Sequence, residues 1–202
     1  MSKKLVKAAV DSPRDRIIKV ATDLFYRQGY RATGINEVIE KSGVAKATFY
    51  NHFSSKDDLG LAYLLQAKEG EIAHLENFIR AAKNPRERYY AVIRSLEPWL
   101  QDTKFRGCAF VNIASESPDH KHPLRKVGRE VYDYARSRVE TQIKELIASD
   151  EKKYGRLKAA ELTGEYMTAF IGAIVLAQIY HAVWPVEDAL NTARRLIGDK
   201  PG

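Results

Sequence analysis

The residues best suited to do chemistry lie in one run, Thr33-Gly-Ile-Asn-Glu-Val-Ile-Glu-Lys-Ser-Gly-Val-Ala-Lys-Ala-Thr-Phe-Tyr-Asn-His-Phe-Ser-Ser-Lys56. It reads as two short helices across a glycine turn, with Gly43 at the bend because a sharp turn is easiest for a residue that tolerates positive φ. Ile35, Val38 and Ile39 brace the first helix against the second, and Val44 and Phe49 close a small shared core. The second helix then presents Lys46, Ala47, Thr48, Tyr50, Asn51 and His52 outward. That set holds hydrogen-bond donors, small residues and an aromatic but no acid, so its face can approach phosphates. Residue types alone leave open a plain three-helix bundle with a solvated basic face.

Elsewhere the candidates are thinner. Cys108, in Lys104-Phe-Arg-Gly-Cys-Ala-Phe, stands near two cations and an expected helix start, two influences that lower a thiol pKa. The competing reading is a small buried hydrophobe. Asp119-His120-Lys121-His122 offers two histidines beside a proline, too few for a metal without distant ligands, so neither metal nor cofactor is expected. No Gly-x-Ser-x-Gly elbow, phosphate-cradling glycine loop or His-Glu-x-x-His occurs, and no catalytic residues are assigned. The chain reads as a non-enzyme. Trp99, Phe110, Asn112, Tyr134, Met167 and Phe170, with Cys108, are the candidates to line a small-molecule pocket among the middle helices; the alternative for each is plain core.

The elements that hold these residues are all helical, since no stretch alternates apolar and polar residues long enough for a sheet. Ser12-Pro13-Arg14-Asp15 opens the first helix as a capping box with proline at the first position. Ile17, Ala21, Leu24 and Gln28 form its stripe, and Gly29 stops it. Helices over 35–42 and 46–53 follow, then a long one from Lys56 to Ala82 with the stripe Leu61, Leu65, Ile72, Leu75 and Ile79. Asn84-Pro85 opens the next, which Pro98 should kink or end. A short helix over Ala109 to Glu116, one from Pro123, an uncharged one running to Trp184-Pro185, and a last one carrying Ala189, Ala193 and Leu196 complete about nine helices. Residues 1–55 form one expected domain and 56–202 the other.

The chain has 202 residues, 33 Lys and Arg against 26 Asp and Glu, and a net charge of +7. The first 61 residues hold 11 basic against 7 acidic residues, so more than half the excess lies in under a third of the chain. An acidic partner such as nucleic acid fits that balance. One cysteine cannot form an internal disulfide, and the start shows no apolar run long enough for a secretory signal, so a cytoplasmic location is expected. Between Glu165 and Glu187 lie 21 residues without a formal charge. Thr168, Gln178, His181 and the acidic flanks argue against a membrane span, and a helix buried between subunits explains the segment better.

Ala21, Leu24-Phe25, Gly29-Tyr30, Thr33, Ile35, Gly43-Val44, Thr48-Phe49-Tyr50, His52-Phe53 and Ser55-Lys56, in this order and spacing, resemble the TetR family of bacterial transcriptional regulators. The resemblance is close from Ile17 to about Leu61; beyond that it rests on helix count and length. One departure is Ala45, where many relatives place a capping Ser. The resemblance implies an N-terminal three-helix DNA-binding domain followed by a helical ligand-binding and dimerisation domain. It implies that Tyr50, His52, Lys56 and Thr33 contact the sugar-phosphate backbone. Lys46, Ala47 and Thr48, near the start of the recognition helix, are the candidates for base edges in the major groove, with Asn36 and Asn51 as helpers. It further implies a homodimer on a palindromic double-stranded operator, released by a small-molecule inducer. Lys3, Lys4 and Lys7 would be either a DNA-reaching arm or a solubilising tail. The rival to this reading is a helical adaptor whose basic N-terminal face binds protein or membrane.

Overall fold

The computed structural model describes residues 11–200, and the arm lysines Lys3, Lys4 and Lys7 lie outside them. Eleven helices and no strand occur among the described residues. They fall into two compact units, the first ending at Tyr63 and the second beginning at Leu64.

The first unit contains α1 (Pro13–Gln28), α2 (Ile35–Ser42), α3 (Lys46–His52) and the start of α4 (Lys56–Ala81). The α1 capping box is formed, with the Asp15 N–H donating to Ser12 Oγ at 3.2 Å and the Ser12 N–H to Asp15 Oδ2 at 3.3 Å. Ile17, Ala21, Leu24 and Phe25 of α1 are buried with Val38, Phe49, Phe53, Leu59 and Tyr63. Phe25 ties the unit together, its ring 5.1 Å from Tyr30 and 5.7 Å from Tyr63. That last contact explains why the units divide after Tyr63 and not after residue 55. The first two turns of α4 supply core to the first unit. The stripe expected on α4 is corrected at Leu65, which is exposed, while Tyr63 and Leu64 are buried.

The second unit adds α5 (Pro85–Arg94), α6 (Leu96–Asp102), α7 (Ala109–Glu116), α8 (Pro123–Ser149), α9 (Glu151–Tyr154), α10 (Ala159–Tyr180) and α11 (Trp184–Leu196) to the rest of α4. Helix α10 packs on α8 and α11, and α5 packs on α8 and α11. Buried phenols fasten three of these: Tyr166 Oη donates to the Tyr89 carbonyl at 2.7 Å and Tyr89 Oη to the Ala193 carbonyl at 2.9 Å. Proline 98 does not end its helix. The chain breaks three residues earlier, at Ser95, and Pro98 sits in the first turn of α6, where a missing N–H costs nothing. Likewise the uncharged helix stops at Tyr180 because His181 turns left-handed with φ 51°, and Trp184 begins a new helix.

Helix α10 is long and apolar enough to cross a membrane, and only 33% of its most apolar window is buried. The exposed part includes Leu176, Ile179, Tyr180 and, at the start of α11, Trp184.

Candidate functional site

Helix α3 is held by one side only. Phe49 and Phe53, four residues apart, are buried, with ring centroids 6.0 Å from each other. Lys46, Ala47, Tyr50, Asn51 and His52 are exposed, Thr48 is half-buried, and Asn36 on α2 is exposed. The helix has no acid in its first turn and His52 in its last. Gly43, at φ 64°, makes the left-handed turn that separates α2 from α3.

Two basic side chains of the unit are pinned on aromatic rings. Lys56 Nζ lies 4.6 Å from the centre of the Tyr30 ring and donates to the Arg31 carbonyl at 3.2 Å. Tyr30 in turn donates its hydroxyl to Asp57, and burial followed by this carboxylate pushes its phenol up, so it stays neutral. Arg14 lies 5.6 Å from the centre of Phe53. A cation fixed by a ring keeps its charge while losing little entropy when a phosphate arrives. Sequence reasoning missed Tyr30 as the support of Lys56. Only its closeness in space, not its type, reveals that role.

Thr33 is corrected. It is fully buried, and its hydroxyl donates to the Gly29 carbonyl at 2.8 Å, so its side chain stabilises the turn before α2 instead of meeting a phosphate. Ala45 is the N-cap of α3 and supplies no capping hydrogen bond. Ala45→Ser is therefore expected to stabilise the first unit by about 1 kcal/mol, read as an upward shift of its unfolding midpoint in urea. No shift would mean that the hydroxyl fails to reach the free N–H groups of the first turn.

The second unit contains a partly open cavity of about 60 Å³. Its wall includes Trp99, Cys108, Tyr134 and Phe170 from the expected set, together with Glu71, His74 and Tyr132, which sequence reasoning did not single out. Three expected residues are elsewhere. Phe110 is buried against Gly128, where an added Cβ would meet it at 3.3 Å, and faces a different depression. Asn112 is spent on the Arg106 carbonyl and on Gln178, each at 3.2 Å. Met167 is half-buried on α10 and does not line the cavity.

Of the two readings of Cys108, the structure matches the buried one and not the activated thiol. It is buried, and desolvation together with the nearby Glu71 carboxylate pushes its thiol up to about 12. The flanking cations that would have lowered it do not govern it. Its sulfur accepts from Tyr132 Oη at 3.2 Å and lies 3.9 Å from both Glu71 oxygens. The His122 ring accepts from the Leu124 N–H at 3.4 Å as the cap of α8.

A family model for bacterial regulatory proteins of the tetR family matches residues 17–63. A second, for the C-terminal domain of tetracyclin-repressor-like proteins, matches residues 85–193. The chain is 28% identical over 141 residues to the HTH-type transcriptional regulator LmrA of Bacillus subtilis, covering 69% of this chain and 75% of that one. It is 21% identical over 189 residues to the HTH-type transcriptional repressor NemR of Escherichia coli, covering 91% and 93%. The crystal structure of a TetR-family transcriptional regulator from Streptomyces coelicolor superposes with a TM-score of 0.79 at 27% identity, over 94% of this chain and 96% of that one.

Proposed function

Because the chain belongs to the tetR family of bacterial regulatory proteins, we propose that it is a cytoplasmic, homodimeric repressor that reads a palindromic operator and releases it when a small molecule binds. It is a DNA-binding regulator and not an enzyme. The observation that carries the reading is α3 itself, an acid-free helix anchored on Phe49 and Phe53 with every other position open or half-open. In this reading the first unit reads DNA, and the second binds the inducer and pairs with its copy.

Lys46, Ala47 and Thr48 meet base edges in the major groove, aided by Asn36 and Asn51, while Tyr50, His52 and Lys56 hold the sugar-phosphate backbone. Two such helices in a twofold dimer sit about 34 Å apart, one turn of the duplex, which requires an operator with inverted symmetry. The dimer forms through α10 and α11, whose uncovered apolar residues need a partner. The inducer occupies the cavity behind Trp99 and Phe170. Helix α4 carries both Lys56 and cavity residues such as Leu75, so a ligand that favours one setting of α4 changes the spacing of the heads and lowers operator affinity.

The test separates two kinds of contact. Lys56→Ala should weaken binding to every duplex alike and make the salt dependence shallower by about one phosphate per protomer, whereas Lys46→Ala should cost about 1–3 kcal/mol and relax preference at one position of each half-site. Equilibrium titrations of labelled duplexes at several salt concentrations measure both. Wild-type affinity and preference in both variants would overturn the docking.

A further inference from the structure

We propose, building on the reading of the second unit as the inducer-binding half, that its cavity takes a small organic cation of the alkylammonium class, with Glu71 as the counter-charge. The cavity wall is mostly apolar and aromatic, with Ile72, Leu75, Trp99, Val131, Phe170 and Ile174 among its residues. Into it α4 brings a carboxylate that has no ion pair among the described residues. Among the described residues Glu71 meets the Cys108 thiol alone, 3.9 Å from each oxygen, and a thiol is a weak donor.

The other polar groups of the wall are already committed. The His74 ring bonds the Ser95 carbonyl at 2.9 Å, Ser95 Oγ donates to the Val92 carbonyl at 2.8 Å, Tyr134 Oη to Glu76 at 2.8 Å, and Tyr132 Oη to Cys108 at 3.2 Å. Glu76, on the same helix, shows what a satisfied carboxylate looks like here, with Arg138 Nε at 2.6 Å and Nη2 at 3.2 Å. Glu71 lacks that guanidinium. A half-buried carboxylate without a cation is costly, and burial pushes the Glu71 carboxyl up to about 7.

A cation supplied from outside removes that cost and rests its charge against ring faces, an arrangement favourable for ammonium groups. An anion would gain nothing from Glu71, and a neutral molecule would leave the carboxyl to shed its charge by taking a proton, whereas a cation holds it ionised. Size narrows the class further. On the measure by which one buried water needs roughly 10–15 Å³, a cavity of about 60 Å³ holds about four to six water-sized atoms. Tetramethylammonium is a suitable probe.

The experiment titrates the full chain with tetramethylammonium, with tert-butanol as a neutral probe and with pivalate as an anionic one, following thermal shift and calorimetric heat. Glu71→Gln and Glu71→Asp are titrated in parallel. The expected result is saturable binding of the cation alone, weakened at least tenfold in Glu71→Gln and largely kept in Glu71→Asp, which retains the charge. Equal binding of tert-butanol or pivalate, or undiminished cation binding by a folded Glu71→Gln, overturns the cation assignment but keeps the cavity as an inducer site. No response to any of the three probes also overturns it. Duplex binding by the same preparation distinguishes these failures from failure of the regulator reading, since a protein that selects DNA but ignores the cation contradicts only the present inference.

Discussion

Replacing Ile179 with glutamate is expected to leave the chain folded, make it monomeric, and lower its operator affinity by about 100-fold or more. Ile179 is 67% exposed and Tyr180 60% exposed within a single chain, so neither holds the fold together. Leu176 and Trp184 extend the same patch, and the Tyr180 and Trp184 rings lie 5.2 Å apart. Buried in a twofold interface, each isoleucine would contribute about 1.5–3 kcal/mol, and a glutamate in its place brings a second like charge across the axis. Loss of the dimer turns one bivalent binding event into two weak ones, because the second head no longer arrives at millimolar effective concentration. Sedimentation velocity reports the mass, and titration against full and half operators reports the affinity. A variant that stays dimeric at full affinity would move the interface away from α10 and α11.

Phe49→Ala is expected to unfold the first unit at 37 °C and abolish binding to every duplex while the second unit keeps its own thermal transition. Phe49 is fully buried and, with the buried C-cap Phe53, anchors α3 to its unit. Truncating a buried phenylalanine costs about 3–5 kcal/mol, which a unit of this size cannot spare. Calorimetry should show one transition lost and one retained. Two intact transitions with DNA binding preserved would mean that α3 is held by something other than its aromatic anchors.

Much of this fold is legible in residue order because its signals are local. Ser12 and Asp15 are three apart, and Gly43 is needed where the backbone turns left-handed. Pro98 shows where local reasoning stops. A proline can break a helix or sit in the first turn of the next one, and here the break falls at Ser95, three residues before it. Thr33 misled for a similar reason, since a threonine before a helix can cap, bind phosphate or bond back to the preceding turn. Its burial selects the last of these.

The second unit was less readable because its features depend on residues distant in sequence. Cys108 lies between basic neighbours in the chain but beside Glu71 and Tyr132 in space, and the space governs its thiol. Glu71 looks like one more charge on a long helix. It becomes notable only because α4, α8 and the segment before α7 surround it without supplying a cation.

The most direct test of an operator-reading dimer is selection from a pool of random duplexes by the purified protein at near-physiological salt, where non-specific charge binding is suppressed. Enrichment of an inverted repeat with half-site centres about 10 base pairs or a multiple apart is the predicted result. A pool that emerges without enrichment would contradict sequence reading by α3 and leave a basic face that binds something other than an operator.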